Sequence, residues 1–571
     1  MPNALEKLQA TVDLKTLAPL LGFKAKAISY ILYKSPVDQR YREFKIDKKS
    51  GGKRLICAPN DNLLLLQKRL LALLQKCRNV IEAENSVNVK YKIAHGSRKK
   101  HSIYTNSVRH KRKRFVCNVD LKDFFPTINF GRVRGYFIKN RSFSLQPRVA
   151  TVIAQICCHN NLLPQGAPTS GLVAELIAGS LDQRVSKLAR SENCSYTRYV
   201  DDITLSTNKF CFPKNIATST EDGPARWKIG DRLKSTIERS GFEVNEDKFR
   251  LQFRSGRQVV TGLVVNQKPN INNRFLKSAR AMVDHYCRHG YAYKGRPGGV
   301  DKEEGKIKPS QLRGMLSFIY WVKGREFNYR RFSDNDKEAE PSVIKMYRQF
   351  LDYNSFFDTD VPVILLEGKT DHIYLRAAIR SRGAAFPDLC RKVDKKIILR
   401  LKFYRYSKHS LPVQRLGGGC GDIRIFLSQF AKRTSSFSNE GRRGPLIVVV
   451  DNDKAAKAVF SVAKDVGGIK DTVDGMADFY KMGNRLYLVA IPKENAGDNV
   501  SIEDLFPEEV LGTLWRGKRL SLSDNFDEKK FYGKYNFAEQ VVRPNESTID
   551  FSGFDRLLAR IAAVIRDDAG A

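Results

Sequence analysis

The chain has 571 residues, 42% of them hydrophobic and 10% aromatic, so it can bury several cores and is not a disordered chain. Its 100 Lys and Arg residues against 61 Asp and Glu residues give a formal net charge of +39. So much like charge fits poorly with a free-standing enzyme of small molecules, and it predicts a polyanionic partner, either nucleic acid or an anionic membrane surface.

The positive charge is concentrated in the first part of the chain. Residues 1–350 carry 65 basic and 31 acidic side chains, a net charge of +34, whereas residues 351–571 carry a net charge of only +5. The densest basic run lies between residues 98 and 114. This asymmetry favours a nucleic-acid surface on the first part over a merely solvated basic face.

Membrane and secretory signals are absent from the sequence. No apolar run reaches the roughly 20 residues that a spanning helix needs, and no signal peptide opens the chain. The ten cysteines are scattered without a C-x-x-C pair, which predicts reduced thiols rather than a disulfide framework or a zinc site. We therefore expect a cytoplasmic protein without a membrane partner.

Hydrophobic periodicity predicts the elements in chain order. They are amphipathic helices at the N-terminus, a hairpin with a basic tip at 44–58, a buried helix at 63–80, a strand at 115–119, a helix at 172–188, two short strands at 196–206 and a strand at 259–265. A polar segment at 332–341 follows, and then continuous apolar runs at 363–366 and 447–450. Such runs are typical of parallel strands that are buried on both faces.

Three carboxylates in the first part lie at the ends of predicted strands. Asp120 follows the apolar run at 115–119, and Asp201 and Asp202 lie between two further apolar runs. An Asp-Asp pair alone is usually a turn, but an unpaired charge among apolar strands is costly. Carboxylates on neighbouring strands can share two divalent metals that serve nucleotidyl transfer, and their oxygen ligands suit Mg²⁺, with Mn²⁺ as an alternative.

These motifs resemble those of reverse transcriptases. Residues 199–202 are similar to the catalytic Y-x-D-D, and Asp120 to the third metal ligand. The resemblance implies an RNA-directed DNA polymerase with a right-hand fold of fingers, palm and thumb, in which Phe125 is the aromatic gate against a ribose 2′-OH. It also implies that dNTP and template are bound by Lys48, Lys49, Lys53, Arg54, Phe125, Gln165, Gly166, Ser170, Tyr199 and Lys248.

Two further elements resemble the retron branch of these enzymes. Residues 106–110 are similar to the N-A-x-x-H element, with Ser in place of the usual Ala, and residues 260–262 to the V-T-G element. The resemblance implies a cognate non-coding RNA (msr-msd), priming from an internal 2′-OH, and a branched RNA–DNA product called msDNA. RNA recognition is implied for Asn106, His110, Val260, Thr261 and Gly262. A group II intron-like or repair reverse transcriptase is the alternative.

A second set of carboxylates follows the apolar runs of the C-terminal part. Glu367 comes directly after the first run, and Asp451 and Asp453 directly after the second. The carboxyl ends of parallel strands meet at one edge of a sheet, where α/β folds place their active sites. Two aspartates one residue apart can converge on one Mg²⁺, with Glu367 as a further ligand or an acid/base group.

This second set resembles the Toprim domain of topoisomerases, primases and OLD-type nucleases. Glu503, in an acidic segment at 501–505, resembles a further metal ligand of the nuclease branch, with an ordinary helix cap as the alternative. About 210 residues leave no room for the remaining parts of a topoisomerase or a primase. The resemblance therefore implies a Mg²⁺-dependent, two-metal nuclease whose target is DNA or RNA.

Together these features predict a chain of two enzymes. Its fold class is an α+β polymerase followed by an α/β domain with a parallel sheet: reverse transcriptase at 1–330 (fingers and palm to about 240, thumb from about 241), linker at 331–358, Toprim domain at 359–510 and C-terminal extension at 511–571. The extension ends in an amphipathic helix that is suited to packing or self-association, so a homo-oligomer is one outcome.

The hypothesis is a retron toxin–antitoxin system against phage, in which the polymerase with its msDNA restrains the nuclease. The alternatives are a polymerase that carries an inactive, nucleic-acid-binding Toprim module, and a non-enzymatic RNA-binding protein. The latter leaves Asp120, Asp201 and Asp202 unexplained.

Overall fold

The computed structural model describes residues 2–47, 51–84, 93–219, 227–293, 305–324, 340–394, 396–437, 444–495, 498–523 and 525–570. The chain forms two compact units, Met1–Asn272 and Asn273–Ala571. This boundary falls inside the range predicted as the thumb, because the helices that follow it pack with the C-terminal part. Lys48, Lys49 and residues 331–339 of the predicted linker lie outside the described residues.

The first unit contains helices around a small antiparallel sheet. Its helices are α1 Ala4–Gln9, α2 Leu14–Leu20, α3 Ala25–Ser29, α4 Val37–Arg40, α5 Asp61–Glu84, α6 Ile103–Val108, α7 Phe130–Lys139, α8 Pro147–Cys157, α9 Ser170–Ile177, α10 Gly179–Ser191 and α11 Asp231–Glu238. Its strands are β1 Tyr41–Asp47, β2 Lys53–Pro59, β3 Phe115–Lys122, β4 Ser195–Tyr199, β5 Asp202–Thr207, β6 Ala217–Ser219, β7 Trp227–Ile229, β8 Glu243–Phe253, β9 Val259–Val260 and β10 Leu263–Val264.

The central sheet of this unit has the strand order β4-β5-β3-β8. Its strand pairs are antiparallel, and β3 is buried along almost its whole length between β5 and β8. The predicted strand at 115–119 and the pair around residues 201 and 202 are confirmed. The predicted basic hairpin is confirmed as well, since β1 and β2 pair from Tyr41↔Pro59 to Asp47↔Lys53.

Two predicted elements of this unit are wrong in detail. The helix expected at 172–188 is broken into α9 and α10 at Ala178, where the following Gly-Ser pair disfavours a continuous helix. The strand expected at 259–265 is a short hairpin of β9 and β10. Thr261 and Gly262 form its turn with φ of 45° and 86°, a left-handed conformation that reverses the chain.

The second unit contains helices around a mostly parallel sheet. Its helices are α12 Asn273–His289, α13 Pro309–Lys323, α14 Ser342–Phe356, α15 Asp371–Arg382, α16 Cys420–Thr434, α17 Lys457–Gly467, α18 Glu508–Leu511, α19 Lys534–Asn536 and α20 Asp555–Ala569. Its strands are β11 Ala292–Tyr293, β12 Lys306–Ile307, β13 Val363–Leu366, β14 Cys390–Val393, β15 Lys396–Leu399, β16 Lys402–Phe403, β17 Leu446–Val450, β18 Tyr480–Lys481, β19 Leu486–Ala490, β20 Arg519–Leu520 and β21 Phe531–Tyr532.

The sheet of the second unit has the order β16-β13-β17-β19-β18. The pairs β16–β13, β13–β17 and β17–β19 are parallel, and β13 and β17 are buried along their whole length. The two apolar runs are therefore parallel strands, as predicted. In the described part of the chain, no helix combines the length and the hydrophobicity needed to span a membrane.

Two segments that were predicted as a linker and a C-terminal extension pack into this unit. Residues 342–356 of the predicted linker form α14, whose apolar face is buried against α12 and α13. The segment after residue 511 shares one core with β13 and β17, to which Phe537, Phe554 and Ile561 contribute. Arg560 of α20 is buried and donates hydrogen bonds to the carbonyls of Gly475, Met476 and Ala490.

Candidate active sites

The three predicted carboxylates of the first unit come together at one end of its sheet. Asp120 of β3 is paired across the sheet with Asp202 of β5, and the amide of Leu121 donates to the carbonyl of Asp201 at 3.0 Å. All three aspartates line one cavity of about 690 Å³. Asp120 and Asp201 are about 80 residues apart in the sequence, and the antiparallel pairing of β3 with β5 brings them together in the structure.

The electrostatics of this cavity suit a divalent cation. Burial, together with the neighbouring carboxylates, raises the pKa of Asp202 to about 6 and also raises the pKa of Asp201. Lys248 donates to Asp120 at 2.8 Å and offsets part of the negative charge. Oxygen donors whose charges repel each other are the donor set that Mg²⁺ prefers, so the residues present fit such ions.

The hairpin between β4 and β5 is strained at Val200. Its φ is 59°, a left-handed conformation that is costly for a β-branched residue. Gly96 lies so close that a Cβ at this position would be 2.6 Å from Cγ2 and 2.8 Å from the backbone nitrogen of Val200. The absence of a side chain at Gly96 therefore permits the hairpin conformation that places Asp201 and Asp202.

We expect Gly96→Ala to lower primer extension on an RNA template by about 10- to 100-fold, since displacing reacting groups by about 1 Å has effects of this size. The added methyl group must displace the backbone of Val200. Gly135→Ala is the matched control, because nothing lies within 4 Å of a Cβ there and α7 tolerates Ala. Equal activity of the two variants would contradict this role of Gly96.

A buried ion-pair network that the sequence reading missed supports the hairpin from behind. The guanidinium of Arg198 donates to Asp182 at 2.8 and 2.7 Å and to Glu175 at 3.0 and 3.2 Å. It also donates to the carbonyl of Val200 at 2.8 Å. Burial alone would lower the pKa of Arg198, but the two carboxylates raise it instead. A single Arg within an otherwise buried strand was the only signal in the sequence.

Most of the predicted nucleotide-binding residues line the same cavity. They are Lys53, Arg54, Phe125, Gln165, Tyr199 and Lys248. Gly166 and Ser170 instead shape the segment that carries Gln165. Gly166 has a φ of 117°, and a Cβ there would lie 2.9 Å from the carbonyl oxygen of Cys57, while the Ser170 hydroxyl donates to the carbonyl of Pro164 at 2.6 Å.

Three of the residues predicted to recognise RNA, namely Asn106, His110 and Val260, are packed inside the unit. Asn106 and His110 are fully buried, and His110 makes 2.7 Å hydrogen bonds to the hydroxyls of Ser206 and Thr197. The Thr197 hydroxyl donates to Asn106, so Nε2 of His110 carries a proton and Nδ1 accepts from Ser206. Burial lowers the pKa of His110 to about 3, so the ring is neutral.

The two retron-like elements also contact each other. The Ser107 hydroxyl is shared between the carbonyls of Ile103 at 2.7 Å and Val260 at 3.0 Å, and the Thr261 hydroxyl donates to the carbonyl of Ile103 at 3.3 Å. A fully buried side chain has no surface for RNA, and in this conformation Asn106 and His110 contact hydroxyls of β4 and β5 instead. Thr261 and Gly262, the other two predicted residues, form the β9–β10 turn, where Thr261 is partly exposed and Gly262 is exposed.

In the second unit, Glu367 and Asp451 follow the neighbouring parallel strands β13 and β17. One Glu367 carboxylate oxygen accepts the amide of Asp451 at 3.2 Å, and the other accepts the amide of Cys420 at 3.1 Å. A Cβ at the adjacent Gly368 would overlap the carboxylate of Asp371 and displace it. The strand ends therefore meet as predicted, and the start of α16 faces the Glu367 carboxylate.

Three further charged groups join this cluster. The Asp371 carboxylate accepts the amide of Gly368 at 2.7 Å, and Glu503 is fully buried and paired with Lys534 at 3.1 Å. Burial and the surrounding carboxylates raise the pKa of Asp371 to about 7 and that of Asp451 to about 8. The Oε1 atom of Glu503 has no hydrogen-bond partner among the described residues.

Such repelling, partly unsatisfied oxygens fit divalent metals. Asp371 and Lys534 were not predicted from the sequence. Lys534 comes from the segment after residue 511. Asp453, which was predicted as a ligand, uses Oδ1 to accept the amides of Ala455 and Ala456 at 2.9 and 3.0 Å. The segment at 501–505 is also a capped 3₁₀ helix, in which Asp504 binds the amide of Ser501.

Comparisons with known proteins identify a matching family model and several relatives. The family model "Reverse transcriptase (RNA-dependent DNA polymerase)" matches residues 46–272, which include Asp120 and the hairpin at 199–202. The Retron Mx162 reverse transcriptase of Myxococcus xanthus is 33% identical over 333 residues, which cover 55% of this chain and 65% of that protein. A truncated apo telomerase of Candida Tropicalis reaches a TM-score of only 0.28, with 14% identity over 42% of this chain and 56% of that chain.

The Retron Ec86 reverse transcriptase of Escherichia coli is 32% identical over 292 residues, which cover 50% of this chain and 78% of that protein. The chain therefore belongs to the retron reverse transcriptases, a family of RNA-directed DNA polymerases.

Proposed function

We propose that the chain copies part of a cognate structured RNA into DNA, priming from a 2′-OH of that RNA, and so makes msDNA. The observation that carries this proposal is the meeting of Asp120, Asp201 and Asp202 in one cavity whose walls also hold Lys53 and Arg54. Carboxylates for metal ions and cations for a triphosphate are the two requirements of nucleotidyl transfer.

Each group in the cavity has a definable role. The three aspartates would hold Mg²⁺, which when bound activates the attacking hydroxyl and stabilises the leaving pyrophosphate. Lys53 and Arg54 supply positive charge for the triphosphate of the incoming dNTP. The ring of Phe125 packs edge-to-face on Phe124 at 5.4 Å, which fixes a bulky group in the cavity and favours deoxynucleotides over ribonucleotides.

Sequencing of the nucleic acid that copurifies with the full-length protein tests this proposal. We expect a branched RNA–DNA species with the wild-type protein. The Asp202→Asn variant should bring down the same RNA without the DNA, because RNA binding does not need the metal site. Recovery of only linear or unrelated nucleic acid from the wild-type protein would contradict msDNA synthesis.

For the second unit, we propose a Toprim-type, Mg²⁺-dependent nuclease. Its support is the convergence of Glu367, Asp371, Asp451 and Glu503 at the carboxyl edge of the parallel sheet, next to Lys534. The alternative of an inactive nucleic-acid-binding module leaves this cluster unexplained, since buried carboxylates repel a polyanion. Whether the target is DNA or RNA stays open.

We also propose that the polymerase, with its msDNA, restrains this nuclease, and that phage damage to the DNA releases it and stops growth of the infected cell. The charge distribution supports this arrangement. Residues 1–350 carry +34 and can retain a nucleic acid, whereas residues 351–571 carry only +5. The nuclease therefore depends on the first part of the chain for much of its attraction to nucleic acid.

A further inference from the structure

Three metal-ligating side chains meet at the fingers hairpin, outside the aspartate cluster. Glu43 and Cys57 are directly paired across β1 and β2, and His159 comes from the turn after α8. Nε2 of His159 lies 3.0 Å from Oε1 of Glu43, and Sγ of Cys57 lies 3.8 Å from the same oxygen. Among the residues that the structure describes, this is the one set of three His, Cys, Asp or Glu whose ligand atoms all lie within 4.8 Å of one another.

We propose that Glu43, Cys57 and His159 bind one Zn²⁺ ion, with a fourth position open to the polymerase cavity. Thiolate, imidazole and carboxylate together select Zn²⁺ over Mg²⁺, which prefers oxygen ligands alone. With metal–ligand distances of about 2.0–2.3 Å, ligand atoms around a tetrahedral ion lie roughly 3.3–3.8 Å apart. The spacings of 3.0 and 3.8 Å from Glu43 to His159 and Cys57 lie close to that range. All three residues line the cavity that holds the aspartates.

The surroundings hold the ligands in place. The ring of Tyr41 contacts that of His159, with centroids 4.2 Å apart, and the backbone amide of Cys57 donates to the carbonyl of Gln165 at 2.8 Å. A His–Glu ion pair and a Cys–Glu hydrogen bond would account for the two contacts separately, and the cobalt spectrum distinguishes them from one shared ion. Burial and the charge of Glu43 raise the pKa of Cys57, and a bound cation would reverse that effect.

Zinc at this position would have two consequences for the cavity. It would tie the fingers hairpin to the segment that carries Gln165. It would also neutralise the negative charge of Glu43 in a cavity that must receive a triphosphate beside Lys53 and Arg54. The proposal does not rest on the polymerase activity, since the bound metal is measured directly.

Cobalt spectroscopy tests the site in the full-length protein without nucleic acid. Cys420 also lies 3.1 Å from a carboxylate oxygen of Glu367, so Cys420→Ser is introduced first to remove that thiol as a signal source. We expect one Co²⁺ per chain to give a thiolate charge-transfer band and the intense visible bands of tetrahedral cobalt, signals that Co²⁺ held by carboxylate oxygens alone does not give. Cys57→Ser should abolish the charge-transfer band, whereas Cys158→Ser, next to His159, should leave it unchanged.

Two further variants test the proposed zinc site even if the Cys57→Ser variant folds poorly. Glu43→Gln and His159→Asn should weaken Zn²⁺ binding in competition with a chelating dye by more than the roughly 10- to 100-fold that loss of an outer-shell partner costs. Denaturant unfolding of each variant verifies the fold. A Co²⁺ spectrum without a thiolate band, a band that survives Cys57→Ser, or unchanged Zn²⁺ affinity in both other variants would overturn the proposal.

Discussion

Asp202→Asn should reduce dNTP incorporation by the full-length protein at least about a thousandfold. The amide keeps the size of the side chain but removes the anionic oxygen that a metal ion needs, and metal ions supply several kcal/mol of transition-state stabilisation. The pKa of Asp202 is raised to about 6 by burial and by the charges of Asp201 and Asp120. These carboxylates therefore repel one another until cations bind.

Because these carboxylates repel one another, a stability measurement distinguishes a catalytic role of Asp202 from a structural one. Removing one of three mutually repelling charges should leave the free energy of unfolding of the metal-free protein unchanged or higher, although activity is lost. Asp38→Asn, at an exposed position in α4, is the matched control and should retain full activity. Primer extension and denaturant unfolding of both variants provide the measurement, and activity of Asp202→Asn within about tenfold of wild type would refute the assignment.

The features that could be predicted from the sequence are those encoded by short segments. A strand followed by an acidic residue is visible in a single window, so Asp120, the pair at 201–202, Glu367 and Asp451 were found. Their convergence follows from sheet pairing, which runs of apolar residues indicate well. The parallel strands and the basic hairpin were likewise predicted from patterns within short segments.

Groups assembled from distant segments were not visible. Arg198 meets Asp182 and Glu175 only after two helices pack behind β4, and Lys534 reaches Glu503 only because the last 60 residues complete the core of the sheet. The Glu43–Cys57–His159 set has no C-x-x-C spacing, so the sequence argued against a zinc site. Such sets depend on tertiary packing, not on local pattern.

Polar residues in a motif were also a poor guide to exposure. The partners of buried His110 are the hydroxyls of Thr197 and Ser206 within the sheet, and Thr197 also donates to Oδ1 of Asn106. A buried polar group is tolerated when it is hydrogen-bonded. The partners here lie about 90 residues later in the sequence, and residues 106–110 contain no pattern that indicates them. The motif therefore indicated the protein family but did not indicate whether its side chains are exposed.

Asp451→Asn should abolish Mg²⁺-dependent cleavage by the second unit, again by about a thousandfold, and remove protection against phage while msDNA is still made. Oδ1 can still accept the amide of Ile502, so the backbone is held as before. Burial and the charges of Glu367, Asp371 and Glu503 raise the pKa of Asp451 to about 8, so the neutral amide should not destabilise the metal-free fold. Asp465→Asn, exposed on α17, is the control.

The double variant then tests the proposed restraint. If msDNA holds the nuclease inactive, Asp202→Asn alone should free it and slow growth of uninfected cells, and Asp202→Asn combined with Asp451→Asn should restore growth. Growth curves, phage plaque counts and msDNA gels of the three strains are the measurements. Phage protection that survives Asp451→Asn would favour the inactive binding module, because a module that only binds nucleic acid has no need of the Asp451 carboxylate. Slow growth that persists in the double variant would show that the toxicity arises outside this site.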